Sequence, residues 1–152
     1  MQNLKPILLV EDDTVDAMTF RRTLKDLEIK NPVVHSLNGE EALEYLRSEE
    51  NEEPCFIFLD LNMPRMNGIE FLEVAKADET LRRIPVIVLT TSDNEKDVIE
   101  SFDLGVAGYM VKSADYKEFV EAIRTVNLYW SLSRLPQGQP NYERQPVQSA
   151  VD

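Results

Sequence analysis

Apolar residues along this chain fall into short blocks separated by longer amphipathic stretches. Pro6–Val10 (PILLV), Phe56–Leu59 (FIFL), Pro85–Leu89 (PVIVL) and Gly108–Val111 (GYMV) are continuous apolar runs. Runs of that length, rich in β-branched and aromatic residues, predict strands buried on both faces. Val33–Leu37 (VVHSL) predicts a further, more mixed strand. The stretches between carry apolar residues at a helical period. Val15 to Leu27 has Val15, Met18, Thr23–Leu24 and Leu27. Glu40 to Leu46, entered through Asn38-Gly39, has Ala42, Leu43 and Leu46. Asn67-Gly68 opens a helix with Ile69, Phe71–Leu72 and Ala75. Ser92 and Glu95 have capping-box spacing for a helix over Asn94–Leu104, with Gly105 as its stop. Asp115 and Glu118 repeat that spacing for a last helix running past Leu128, with Phe119, Val120, Ile123 and Val126 on its core face.

Strand and helix thus alternate five times. Such alternation predicts an α/β fold: a doubly wound (βα)5, flavodoxin-like parallel five-stranded sheet with helices on both faces and right-handed crossovers. The length of 152 residues suits one domain. From Pro136 the composition shifts to Pro, Gln and Gly, so residues 1–135 are expected to form the domain and 136–152 a disordered tail.

Net charge is −12, which argues against nucleic acid or an anionic membrane as a direct partner. No apolar stretch approaches the roughly 20 residues that a membrane helix needs, and no signal-peptide pattern opens the chain, so a cytoplasmic protein is expected. Cys55 is the single cysteine and cannot form an internal disulfide; it is read as a small core residue. His35 is the single histidine. With no second His or Cys near it, it is read as a strand or strand-end residue and not as a metal ligand.

Polar chemistry sits at the C-terminal ends of the strands. The first ends in Glu11-Asp12-Asp13, the third in Asp60, the fourth in Thr90-Thr91-Ser92 and the fifth in Lys112. A parallel sheet opens all four ends onto one rim, where open α/β sheets place their ligands. Each feature alone has a bland reading, Asp60 as a turn residue and the acidic run as a solvated face. Together they point to a site. Carboxylates meeting there need a cation, and hard oxygens suit Mg²⁺. Asp60 would be a carboxylate nucleophile that takes a phosphoryl group, with Lys112 and the hydroxyl of Thr90 or Thr91 opposite the phosphoryl oxygens.

In these residues the chain resembles the CheY-like receiver domain of two-component response regulators. The motifs are V-E-D at Val10–Asp12, D-L-N-M-P at Asp60–Pro64, Leu89-Thr90, Gly108-Tyr109 and Lys112, within a stretch from Lys5 to about Leu128. The resemblance implies that Asp60 is the phosphoacceptor. It implies that Asp12, Asp60 and the Asn62 carbonyl ligate Mg²⁺ while Glu11 binds it through water. Thr90 and Lys112 would hold the phosphoryl oxygens, and Tyr109 would be the switch aromatic that turns inward. The plainer reading of Tyr109 is a core aromatic. Two features depart from the family pattern. Lys112 is followed by Ser113 where a cis proline is usual, and Thr91 replaces a small apolar residue, which would restrict the attacking water. The Lys-Ser pair, the T-T-S run and the Tyr129-Trp130 to Leu135-Pro136 ending are similar to stand-alone receivers of phytochrome-type sensor kinases. The expected partners are therefore a histidine kinase, with output by docking, or a histidine phosphotransfer protein if the chain is a relay shuttle. Leu128, Tyr129 and Leu132 lie off the core stripe of the last helix and suggest a homodimer interface.

Three rival readings are weaker. A haloacid-dehalogenase-type phosphatase needs a second Asp two positions after the nucleophile, and Asn62 stands there. A flavodoxin-like FMN carrier needs a hydroxyl- and glycine-rich loop after the first strand, where Glu11, Asp12 and Asp13 would repel its phosphate. A degenerate receiver that only binds partners would not need Asp60, Asp12, Thr90 and Lys112 together.

Overall fold

The computed structural model describes residues 4–133, so the predicted tail and the boundary at residue 135 lie outside the described residues. Five strands, β1 (Ile7–Val10), β2 (Val33–Ser36), β3 (Phe56–Leu59), β4 (Val86–Thr90) and β5 (Gly108–Val111), alternate with five helices. The helices are α1 (Thr14–Asp26), α2 (Gly39–Arg47), α3 (Gly68–Ala77), α4 (Glu95–Asp103) and α5 (Tyr116–Leu132), with a 3-10 turn at Leu81–Arg83. All strand pairs are parallel, in the order β2-β1-β3-β4-β5. This is the doubly wound sheet that the alternation predicts, with β1 and β3 adjacent at its switch point.

Side chains alternate across each strand, so one sheet feeds two cores. Leu8, Val10, Ile57, Leu59, Val86 and Val88 pack under α2 and α3, against Ala42, Leu43, Phe71, Leu72 and Ala75. Ile7, Leu9, Phe56, Phe58, Ile87 and Leu89 pack under α1 and α5, against Ala17, Phe20, Leu24, Phe119 and Ile123. Phe20 meets Phe58 edge-on at 4.9 Å between ring centroids, and Phe58 meets Phe56 at 5.4 Å, a geometry that aromatic rings favour.

The helix ends follow local chemistry, with two corrections to the sequence reading. The α4 N-cap is Asn94, whose side chain accepts from the N–H groups of Lys96 and Asp97; Ser92 instead donates its hydroxyl to Asp97 at 2.7 Å. Asp115 does cap α5 through the Lys117 N–H, but Glu118 accepts from the Ser113 hydroxyl, so no reciprocal box closes there. The full capping box is at Asn67 and Glu70 of α3. Gly105 follows α4 at φ +95°, a left-handed stop that favours glycine.

Three residues also sit differently than predicted. Val15 and Met18 are both 68% exposed, and the buried stripe of α1 is Ala17, Phe20, Thr23 and Leu24. Cys55 is half-buried at the margin of the second core, where burial pushes its thiol pKa up.

Candidate functional site

The registers of the sheet bring the four polar strand ends together. β1 and β3 pair Ile7 with Phe56 and Val10 with Leu59, so they finish level. The Asp60 N–H then donates to the Val10 carbonyl at 3.0 Å, fixing Asp60 beside Glu11. Across the sheet, Thr90 pairs with Val111, and the Lys112 N–H donates to the Thr90 carbonyl at 2.7 Å. Main-chain hydrogen bonds therefore hold the acid, hydroxyl and ammonium positions in place.

Glu11, Asp12 and Asp60 each offer a carboxylate oxygen, and these atoms lie within 4.8 Å of one another. Glu11 and Asp60 are buried, while Asp12 faces solvent. A small divalent cation with oxygen ligands at about 2.1 Å holds neighbouring ligands about 3–4 Å apart. Modest side-chain rotation brings this set to that spacing, so the donors fit such an ion. Asn62 is on the adjoining loop, and its N–H donates to Asp60 Oδ1 at 3.3 Å. Asp13 is not part of the cluster: its side chain caps α1, accepting from Val15 and Asp16 N–H groups, and its own N–H donates to Glu11 Oε2 at 3.1 Å.

The Lys112 Nζ reaches into the cluster, 2.7 Å from Glu11 Oε1, 2.7 Å from Asp16 Oδ2 and 3.6 Å from Asp60 Oδ2. Burial on its own would lower its pKa. The hydrogen bonds to Asp16 and Glu11, with the charges of Glu11 and Asp60, outweigh burial and raise it. Lys112 is therefore a permanent cation, and the strain of crowding falls on Glu11. Burial pushes the Glu11 carboxyl up to about 7, and the Asp60 charge adds to this against the pull of Lys112. The Lys112–Ser113 bond is trans, since no cis peptide occurs among the described residues.

Thr90 is fully buried at the end of β4, and its Oγ1 accepts from the Ser92 N–H at 3.4 Å. Tyr109, on β5, is half-buried against the first core, and its hydroxyl donates to the Ser92 carbonyl at 2.8 Å. One residue, Ser92, thus links the Thr90 hydroxyl to the Tyr109 ring.

Sequence reading missed three supports of this site. Asp16 pairs with Lys112, but a single helical Asp carries no sequence signal. His35 donates from Nε2 to the Glu11 carbonyl at 2.6 Å, so the lone histidine braces the acidic loop. Gly68 lets α3 approach the loop after β3: a Cβ there would stand 2.6 Å from the Asp60 carbonyl oxygen and 2.7 Å from the Leu61 Cα. In the same loop Arg65 is left-handed at φ +67° and pairs with Glu40 at 2.7 Å.

The fold and this rim define a phosphoacceptor signalling domain. The model of the response regulator receiver domain matches residues 7–124, and the chain belongs to that family. It is 38% identical over 130 residues to Response regulator Rcp1 of Synechocystis, covering 83% of this chain and 88% of Rcp1. Its fold matches the phosphorylated cyanobacterial phytochrome response regulator RcpA with a TM-score of 0.83 at 38% identity, covering 89% of this chain and 100% of RcpA. It matches the Mn²⁺-bound form of Rcp1 with a TM-score of 0.81 at 37% identity, covering 88% and 99%. The chain is thus a two-component receiver similar to phytochrome response regulators, and proteins of that kind work with histidine kinases. No described helix is long and apolar enough to cross a membrane.

Proposed function

We propose that Asp60 accepts a phosphoryl group from the phosphohistidine of a sensor kinase in a Mg²⁺-dependent reaction, and that the phosphorylated domain signals by docking. The observation that carries this reading is the gathering of Glu11, Asp12 and Asp60 within 4.8 Å, with the Lys112 ammonium 3.6 Å from Asp60. An Asp60 oxygen forms the new O–P bond as the N–P bond breaks, and the histidine nitrogen leaves with the electron pair and takes a proton from water. Asp12, Asp60 and the Asn62 carbonyl would hold Mg²⁺, with Glu11 acting through water; the ion supplies positive charge opposite the phosphoryl oxygens. Lys112 and the Thr90 hydroxyl would bind the remaining oxygens. Drawing Thr90 toward them would pull on Ser92 and so on Tyr109, the switch aromatic. Hydrolysis of the acyl phosphate returns the domain to rest, and exposed Thr91 at the rim would slow the entering water.

The similarity to Rcp1 and RcpA supports a phytochrome-type kinase as the phosphoryl donor in the cytoplasm. Exposed Leu128, Tyr129 and Leu132 on α5 support a homodimer built on that helix. The test is phosphotransfer profiling of the purified chain against the histidine kinases and histidine phosphotransfer proteins of its source. Fast labelling by a phytochrome-type kinase is the expected result. Labelling that passes on to a histidine phosphotransfer protein would make the chain a relay shuttle, and no transfer from any kinase would overturn the reading.

A further inference from the structure

We propose that Asp16 is a positioning residue for phosphoryl transfer: together with Glu11 it parks the Lys112 ammonium away from Asp60, and it must release that ammonium before phosphoryl oxygens on Asp60 can claim it. The inference rests on Asp60 being the acceptor. Its basis is a difference in distance. Lys112 Nζ makes contacts of 2.7 Å to Glu11 and 2.7 Å to Asp16, but stands 3.6 Å from Asp60. An ammonium has three donors, and the two short charge-assisted bonds are the strong ones.

The two partners of Lys112 are not equivalent. Glu11 belongs to the carboxylate group gathered within 4.8 Å, next to Asp60 in the sheet, so an ammonium that moves toward Asp60 stays near Glu11. Asp16 is outside that group, in the first turn of α1, with a side chain 41% exposed. Moving toward Asp60 therefore costs Lys112 its Asp16 bond specifically. Asp16 stabilises the unphosphorylated arrangement and contributes nothing to the phosphorylated one, so it sets the balance between them.

The ammonium is loosely packed on its Asp16 side. A cavity of about 280 Å³ borders both side chains, with Leu9, Phe20, Leu89 and Phe119 along its apolar wall. The same competition bears on the metal. While Asp16 holds Lys112, the ammonium is shared, and its pull on the Glu11 and Asp60 oxygens is weaker.

The experiment is a double-mutant cycle on the full chain, read by Mg²⁺ affinity, with beryllofluoride affinity at saturating Mg²⁺ as the second readout. In Asp16→Asn the freed ammonium falls back on Glu11 and Asp60, so Mg²⁺ should bind about fivefold more weakly while beryllofluoride binds about fivefold more tightly. Asp16→Glu should restore wild-type values. In a Lys112→Ala background, Asp16→Asn should change Mg²⁺ affinity less than about twofold, the residue of a screened charge. An equal Mg²⁺ loss in both backgrounds, or beryllofluoride binding that is unchanged or weaker in Asp16→Asn, would overturn the inference and leave the Asp60 reading intact. Failure of wild-type protein to bind beryllofluoride would overturn both.

Discussion

The Asp60 N–H donates to the carbonyl of Val10 at 3.0 Å, so the carboxylate that ends β3 is fixed beside the acidic pair that follows β1. Placement of the acidic site is thus a consequence of sheet register. A one-residue slip of β3 against β1 would exchange the β3 side chains between the two cores, so the packing that stabilises the fold also holds the site.

Gly68→Ala should damage both. The new methyl group would meet backbone atoms, the Asp60 carbonyl oxygen and the Leu61 Cα, which cannot yield as a flexible side chain would. We expect a loss of about 1–3 kcal/mol in urea unfolding, together with slower phosphorylation. Unchanged stability and rate would show that the α3 approach is looser than described.

Mg²⁺ binding should be pH-dependent through Glu11. Its folded pKa, about 7, is raised above the ordinary 4.5. Stability from this group in metal-free protein is fully present below the unfolded value and is lost as pH rises through about 7. Bound metal favours the ionised form and reverses that loss. The rise in melting temperature with millimolar Mg²⁺ should therefore be larger at pH 8 than at pH 6, as followed by circular dichroism, and Glu11→Gln should flatten the dependence.

Lys112→Ala should retain Mg²⁺ binding and tighten it, because a competing cation leaves the rim. It should also destabilise metal-free protein by about 1–3 kcal/mol at pH 8, since buried Glu11 loses its partner. The destabilisation should shrink at pH 6, where Glu11 takes up a proton. Calorimetric titration that finds weaker Mg²⁺ binding in this variant would contradict the role given to Lys112.

How much of this was legible beforehand follows from periodicity. Continuous apolar runs identified β1, β3, β4 and β5, and the mixed run at Val33–Leu37 identified β2, to within a residue at their ends, and the residues after four of them supplied Glu11, Asp12, Asp60, Thr90 and Lys112. The face of α1 was misread because two apolar stripes share that helix. Val15 and Met18 share a helical spacing with each other, yet Ala17 and Phe20, on a second stripe, are the buried ones. What Asp16 and His35 do escaped notice for another reason. Their roles come from contacts across the fold, to Lys112 on another element and to the Glu11 main chain, and local spacing carries no trace of either.

The off-stripe residues of α5 support an association test. Trp130 stacks on Phe56 at 6.0 Å and belongs to the core margin, whereas Tyr129 is 63% exposed. Tyr129→Ala should change stability by less than about 0.5 kcal/mol yet shift the sedimenting species from dimer toward monomer. A wild-type protein that is monomeric at micromolar concentration, with and without beryllofluoride, would exclude the α5 dimer.

The most direct test of the central claim is intact-mass spectrometry after incubation with acetyl phosphate and Mg²⁺, comparing wild type with Asp60→Asn. Wild type should gain one phosphoryl group that is lost in alkali and does not form when Mg²⁺ is withheld during labelling, while Asp60→Asn gains none. Undiminished incorporation in Asp60→Asn, at the wild-type rate, would contradict the assignment of Asp60 as the acceptor.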